Sequence, residues 1–155
     1  SRKVGNGFAA MVAPKMISND DPLAGVNGVM NAIFVKGNVL GDVMFYGAGA
    51  GKLPTASAVV SDVVDAVKHM GTNIMTIWST HKADLVDIKD VVTRFFIRVK
   101  GDDDAAVKAA FDGEIVRADG VTGEFGCVTA PMTEKEYADK AAGFDGIISM
   151  IRYEG

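Results

Sequence analysis

The stretch of residues best suited to chemistry lies at 46–55 and reads YGAGAGKLPT. A β-rich run precedes it and an amphipathic pattern follows it, which predicts a strand, a glycine-rich turn and the first turn of a helix. Glycines let the backbone adopt positive φ and come close to a ligand. Unpaired N–H groups and the positive end of the helix dipole favour an anion such as a phosphate. The stretch is therefore the first candidate binding site.

Two common phosphate-binding motifs do not fit this stretch. A Walker A loop requires glycine at the position of Tyr46 and a serine or threonine at that of Leu53. The dinucleotide motif G-x-G-x-x-G fits Gly47 and Gly49 but requires a glycine where Lys52 stands. From the local residues alone, a tight helix entry with small residues for close packing is the favoured interpretation.

The elements around the stretch follow from periodicity. Two β-rich runs, at 29–36 and 39–46, flank the dipeptide Gly37-Asn38 and predict a β-hairpin with a two-residue turn. Valines then recur at helical spacing and predict one helix over 54–69. Because valine is a poor helix former, we expect burial to stabilise that helix. An apolar run at 8–13 predicts a further strand.

Composition excludes several classes of protein. The chain has 155 residues, 48% of them hydrophobic, and a net charge of −4, so it can bury a core and has no basic field for nucleic acid. No apolar run is long enough for a bilayer, and we expect a cytoplasmic protein with no membrane partner. The lone Cys127 is expected to be a buried structural thiol. His69 and His81 have no clustered ligands, so no metal site is predicted.

The C-terminal part has the element order β-α-β-β-α-β, which is ferredoxin-like. The predicted elements are a strand at 92–100, a helix at 105–111, strands at 115–121 and 124–130, a helix at 133–142 and a strand at 146–153. Thr133 followed by Glu136 predicts a capping box at the second helix. The predicted fold class is α+β: a β-hairpin with a packed helix, then a ferredoxin-like domain.

Three blocks carry a resemblance to a known family. NAIFVKG at 31–37 and GDVMFYGAGAGKLPTASAVVSD at 41–62 resemble the end of the catalytic region of homoserine dehydrogenases. TRFFIRV at 93–99 looks like the first strand of the ACT domain that closes many of these enzymes. The resemblance implies three segments: the end of the catalytic region at 1–70, a linker at 71–91 and an ACT-like domain at 92–155.

The resemblance also implies a function for the parent protein, the NAD(P)-dependent interconversion of homoserine and aspartate 4-semialdehyde. It implies that Gly47, Gly49, Ala50, Gly51 and Thr55 lie on the cofactor side of the site. The family's dinucleotide fingerprint and substrate residues match nothing in this sequence, so no catalytic residue is predicted. We therefore expect a C-terminal fragment that is inactive alone, binds no cofactor firmly and forms a homo-oligomer, a dimer or higher.

The sequence departs from its family in one loop. ACT domains that hold an amino-acid effector usually carry a Pro-Gly pair after the first strand, whereas this chain has the acidic run Asp102-Asp103-Asp104. Like-charge repulsion argues against an ordinary effector site there, although effector binding stays open. The alternative to the enzyme is a non-enzymatic ACT-like module for amino-acid sensing or dimerisation, supported by residues 92–155 alone.

Overall fold

The computed structural model describes all 155 residues, which form two compact units. Residues 1–17 and 81–155 form what we call the sheet unit, and residues 18–80 form the hairpin unit. Neither unit contains a helix with the length and hydropathy that crossing a membrane requires. The predicted α+β class is confirmed by this mixture of strands and a few helices.

The chain has ten strands, three α-helices and two short 3-10 helices, the latter at Pro22–Gly25 and Ile88–Asp90. In chain order the regular elements are β1 Arg2–Val4, β2 Gly7–Ala9, β3 Lys15–Ile17, β4 Met30–Gly37, β5 Gly41–Ala48, α1 Lys52–Lys68, β6 Val92–Lys100, α2 Asp104–Phe111, β7 Glu114–Val116, β8 Glu124–Val128, β9 Met132–Thr133, α3 Glu134–Ala141 and β10 Ile147–Glu154.

The sheet unit is built on a sheet with the strand order β3-β10-β6-β8-β7, and the short β9 also pairs with β6. Neighbours from β10 to β7 are antiparallel, whereas β3 runs parallel to β10. With α2 and α3 in sequence, this confirms the predicted β-α-β-β-α-β order. The two middle strands are shorter than predicted because the chain turns between them, with positive φ at Gly120 and Gly123.

The core of the sheet unit lies between one face of the sheet and the two helices. Alternate residues of β6, Phe95, Ile97 and Val99, are buried on that face, as the two-residue period of a strand requires. They pack with Phe111 of α2 and Tyr137 of α3, and the Phe95 and Tyr137 ring centroids are 4.8 Å apart. This cluster holds both helices on the sheet.

The single cysteine belongs to the same core. Cys127 is fully buried, and this burial raises the pKa of its thiol. A side chain at Gly113 would place its Cβ 2.4 Å from the Cys127 Sγ atom, so no larger residue fits beside it. The expected structural role of Cys127 agrees with this packing.

The compact units follow other boundaries than the predicted segments 1–70, 71–91 and 92–155. Residues 15–17 lie in the sheet unit because β3 pairs with Arg152, Tyr153 and Glu154 of β10. The Phe8 N–H donates to the Asp84 carbonyl oxygen at 2.9 Å, which fixes part of the expected linker in the same unit. As an account of the parent protein's domains, the three segments stay a prediction.

The hairpin unit contains β4 and β5, paired antiparallel along their whole length from Met30–Ala48 to Gly37–Gly41. The hairpin is as predicted, but the two-residue turn at Gly37-Asn38 is wrong. Residues 38–40 form the loop, and Gly41 closes it with a φ of 73°. Glycine adopts this positive φ without steric strain. Gly41 rather than Gly37 therefore determines the pairing register of β4 and β5.

Helix α1 has no buried residue in this chain. Its five central valines, at 59, 60, 63, 64 and 67, are between 45% and 60% exposed. The burial that we expected to offset the poor helix propensity of these valines does not occur within this chain.

The capping box of α3 generates a prediction for the sheet unit. The Thr133 hydroxyl accepts from the Glu136 N–H at 3.1 Å, and the Thr133 N–H donates to the Glu136 carboxylate at 2.7 Å. We expect Thr133→Ala to lower the free energy of unfolding by about 1 kcal/mol at neutral pH, measured by urea denaturation. Thr122→Ala, at an exposed loop residue, is the matched control and should have almost no effect.

The same box predicts a pH dependence. The hydrogen bond from the Thr133 backbone, followed by that from its hydroxyl, lowers the pKa of Glu136 below its ordinary 4.5. The pKa of Glu136 is thus lower in the folded protein than in the unfolded one. The stabilisation from its hydrogen bonds is therefore fully present above the unfolded pKa and is lost as the pH falls through the folded pKa. An effect of Thr133→Ala that grew on acidification would contradict this assignment.

Candidate functional site

The candidate site is the segment of residues 47–55, which joins the end of β5 to the start of α1. Gly47 and Ala48 are the last residues of β5, and residues 49–51 form the turn. Lys52 is the first residue of α1, and Thr55 lies in its first turn. The local structure is thus the strand, turn and helix entry that the sequence predicts, and all five predicted site residues lie on it.

Gly51 is the N-cap of α1 and has an unusual backbone conformation. Its φ of 115° and ψ of 164° lie in a region that is essentially restricted to glycine. Its carbonyl oxygen accepts the Thr55 N–H at 3.2 Å, the first hydrogen bond of the helix. Since glycine has no side chain, no side-chain hydrogen bond caps the start of the helix.

The first turn of α1 therefore presents free donors and positive charge. The N–H groups of Lys52 and Leu53 precede the first intrahelical donor, the Thr55 N–H, and Pro54 has no N–H to satisfy. No acidic residue lies in this turn, and the Lys52 ammonium adds to the positive end of the helix dipole. This arrangement suits an anionic or electron-rich group of a ligand.

The other glycines of the segment differ in their surroundings. A Cβ at Gly49 would lie 2.7 Å from the Asn31 side-chain nitrogen, so the two residues are tightly packed. A Cβ at Gly47 would meet nothing within 4 Å, and the φ of Gly47 is not positive. Gly47 therefore leaves open space beside the strand rather than relieving strain in the chain.

An apolar depression of about 280 Å³ lies on the hairpin next to this segment. Its walls include Ile33 and Phe45, a cross-strand pair whose side chains are 66% and 64% exposed. Its remaining lining residues are Asn31, Ala32, Tyr46, Gly47, Ala48 and Gly49. The depression can hold a flat, mostly apolar group beside a glycine-lined backbone.

Sequence reasoning missed the contribution of strand β4 to this surface. Asn31 is paired with Gly47 across the hairpin, and this pairing places its amide against Gly49. Counting back from the correct turn at residues 38–40 would have identified that pair.

Residues outside the segment have structural partners. His69 contacts the Asp65 carbonyl oxygen at 2.9 Å, within the last turn of α1. In the acidic run, Asp103 accepts from the Ala106 N–H as the N-cap of α2, and Asp104 pairs with Arg117 at 2.6 Å. Asp103 thus caps α2 and Asp104 forms an ion pair, which are ordinary roles for solvated carboxylates at the start of a helix.

Comparison with known proteins decides the family. The sequence model for homoserine dehydrogenase matches residues 1–64, which contain the hairpin and the complete 47–55 segment. Residues 1–64 therefore belong to the homoserine dehydrogenase family. Homoserine dehydrogenase from Synechocystis is 45% identical over 56% of the chain and 22% of its own length. The enzyme from Mycobacterium tuberculosis is 30% identical over 95% of the chain and 39% of its own length.

Solved structures agree with the sequence relatives. Homoserine dehydrogenase from Thiobacillus denitrificans has a TM-score of 0.77 at 26% identity and is matched over 99% of this chain and 40% of its own. The Staphylococcus aureus enzyme at pH 7.0 has a TM-score of 0.63 at 26% identity, over 92% of this chain and 37% of its own. All four relatives bear the name of an oxidoreductase. The chain spans at most 40% of their length.

The geometry of Gly51 generates a prediction for the chain itself. An alanine at position 51 must either keep φ near 115° or deform the start of α1. We therefore expect Gly51→Ala to lower the free energy of unfolding of α1 by about 1–3 kcal/mol. This change is measured by following helix content with circular dichroism during a urea titration. Gly47→Ala is the matched control, because its Cβ enters open space. Equal unfolding curves for both variants would show that Gly51 is not strained.

Proposed function

We propose that this chain is the C-terminal portion of an NAD(P)-dependent homoserine dehydrogenase. Such an enzyme interconverts L-homoserine and L-aspartate 4-semialdehyde, a cytoplasmic step toward threonine, methionine and isoleucine. The observation that carries the proposal is the family match over residues 1–64, centred on the hairpin and the 47–55 segment.

The features of this segment suit a dinucleotide cofactor. Gly47 leaves space for close approach to the backbone, and Gly51 leaves the N–H donors of α1 uncovered. The adjoining depression is apolar, as an aromatic ring such as nicotinamide requires. Gly47, Gly49, Ala50, Gly51 and Thr55 are the proposed cofactor-side residues. NAD(P), when bound, supplies the hydride chemistry, and these residues bind and orient it.

The chain supplies only part of the proposed active site. Its sequence contains no dinucleotide fingerprint, and a single loop does not replace a dinucleotide-binding fold. The groups that handle the homoserine hydroxyl belong, in this proposal, to the rest of the parent protein. The 155-residue chain alone is therefore inactive.

Gly47→Val in the full-length enzyme tests this function. Valine suits a strand, and its Cβ meets nothing in the chain, so the fold should be retained while close approach of the cofactor is blocked. We expect kcat/KM for the cofactor to fall roughly ten- to hundredfold, measured by steady-state kinetics with NADH and NADPH.

Gly25→Ala is the control, because its Cβ also enters open space and its φ is not positive. Unchanged kinetics for Gly47→Val, with the melting temperature retained, would remove Gly47 from the site. Turnover of homoserine by the 155-residue chain alone would overturn the proposal that it is an inactive portion.

We further propose that the hairpin unit mediates homo-oligomerisation. Strands β4 and β5 form a two-stranded sheet, so each has an unpaired edge, and Ile33 and Phe45 expose an apolar face. A second copy would cover such a surface with two-fold symmetry.

Light scattering of the chain at micromolar concentration tests the oligomer. We expect the mass of a dimer or higher oligomer, and we expect Ile33→Lys to shift it toward the monomer because a buried unpaired charge is costly. Val39→Lys is the matched control, since Val39 is 86% exposed in the hairpin loop. A monomer mass independent of concentration would contradict the proposal.

A second function is favoured by the topology of the sheet unit. Its β-α-β-β-α-β order and the strand order β10-β6-β8-β7 are those of a ferredoxin-like domain, to which ACT domains belong. The unit is then either the regulatory domain of the enzyme or, alternatively, a non-enzymatic sensing or dimerisation module. Asp103 and Asp104 are engaged in capping and pairing, which favours a structural role for this loop over effector binding.

A further inference from the structure

The arginines of the chain fall into two groups. Arg98, Arg117 and Arg152 each form an ion pair with a carboxylate, to Glu124, Asp104 and Glu134 respectively. The other two, Arg2 and Arg94, form no ion pair. In a chain with a net charge of −4, two unpaired guanidinium groups at one place are a notable concentration of positive charge.

Both unpaired arginines line the same depression, at the end of the sheet unit where β6 begins and β10 ends. Its volume is about 160 Å³. The lining residues are Arg2, Thr93, Arg94, Pro131, Tyr153, Glu154 and Gly155. The one acidic side chain among them, Glu154, is paired with Lys15, which offsets its charge.

Contacts with the protein hold the two guanidinium groups in place. The Arg94 Nε–H donates to the Thr129 carbonyl oxygen at 3.1 Å, and its guanidinium carbon lies 5.2 Å from the centre of the Tyr153 ring. Arg2 donates through Nη2 to the Val92 carbonyl oxygen at 2.5 Å. A guanidinium has five N–H donors, so each group keeps donors for a ligand.

We propose that this depression binds a small oxyanion, a carboxylate or phosphate group, at a site separate from the 47–55 segment. Two guanidinium groups held by other contacts present fork-like donors that match such anions, and Thr93 and Tyr153 line the same depression. Its volume of about 160 Å³ admits a small anion and lies below the roughly 300–1,000 Å³ of sites that hold larger ligands. The site is independent of the proposed dehydrogenase function.

Isothermal titration calorimetry on the 155-residue chain tests the site, with inorganic phosphate and with acetate at constant ionic strength. We expect saturable binding of at least one of them, and a loss of about tenfold in its affinity for Arg2→Gln. The preferred anion identifies the ligand as a phosphate or a carboxylate. Binding of neither anion overturns the proposal.

Arg117→Gln is the matched control, because it also removes one exposed guanidinium but lies outside the depression. An equal loss of affinity in Arg117→Gln would show a diffuse charge effect and overturn the proposal. Arg94→Gln should abolish binding, with circular dichroism checking the fold. Since Arg2 is exposed and Arg94 half-buried, Arg2→Gln keeps the test valid if Arg94→Gln unfolds.

Discussion

The sheet unit depends on strand β6, whose one face is buried by both helices. Phe95, Ile97 and Val99 fill that face, and burying each such side chain contributes about 1.5–3 kcal/mol. β6 also forms the backbone ladders to β8 and β10, and β10 in turn holds β3. The helices, the neighbouring strands and the depression at the start of β6 are therefore all positioned by one central strand.

The hairpin unit lacks a comparable core, and this difference bears on function. Its apolar residues, such as Ile33, Phe45 and the valines of α1, remain exposed within the chain. A two-stranded hairpin is at best marginally stable in water, and helices of poor propensity need packing partners. We therefore expect other protein surface to cover the elements on either side of the 47–55 segment. Such a requirement is typical of a site assembled from several parts of a larger protein.

Local signals predicted the parts of the fold that local interactions decide. The alternation of β6 gave its bounds, 92–100, and the Thr133–Glu136 spacing gave the capping box of α3. The pairing of β3 with β10 joins residues near opposite ends of the chain, and no local pattern encodes it. For that reason the inclusion of β3 in the sheet unit was not predictable from the sequence. The hairpin turn was misplaced because Gly37-Asn38 carries a turn signal of its own, while the positive φ lies at Gly41.

The same reasoning explains what could be predicted of the candidate site. Its glycines are adjacent in sequence, so composition alone indicated the segment, but composition does not separate their roles. Gly51 is required by its backbone conformation, Gly49 by the proximity of Asn31, and Gly47 by neither. Gly25 has equally open surroundings, so openness alone does not indicate a binding site. Within the candidate segment, Gly47 is the glycine whose open space a ligand would fill, although Gly51 has the more unusual geometry.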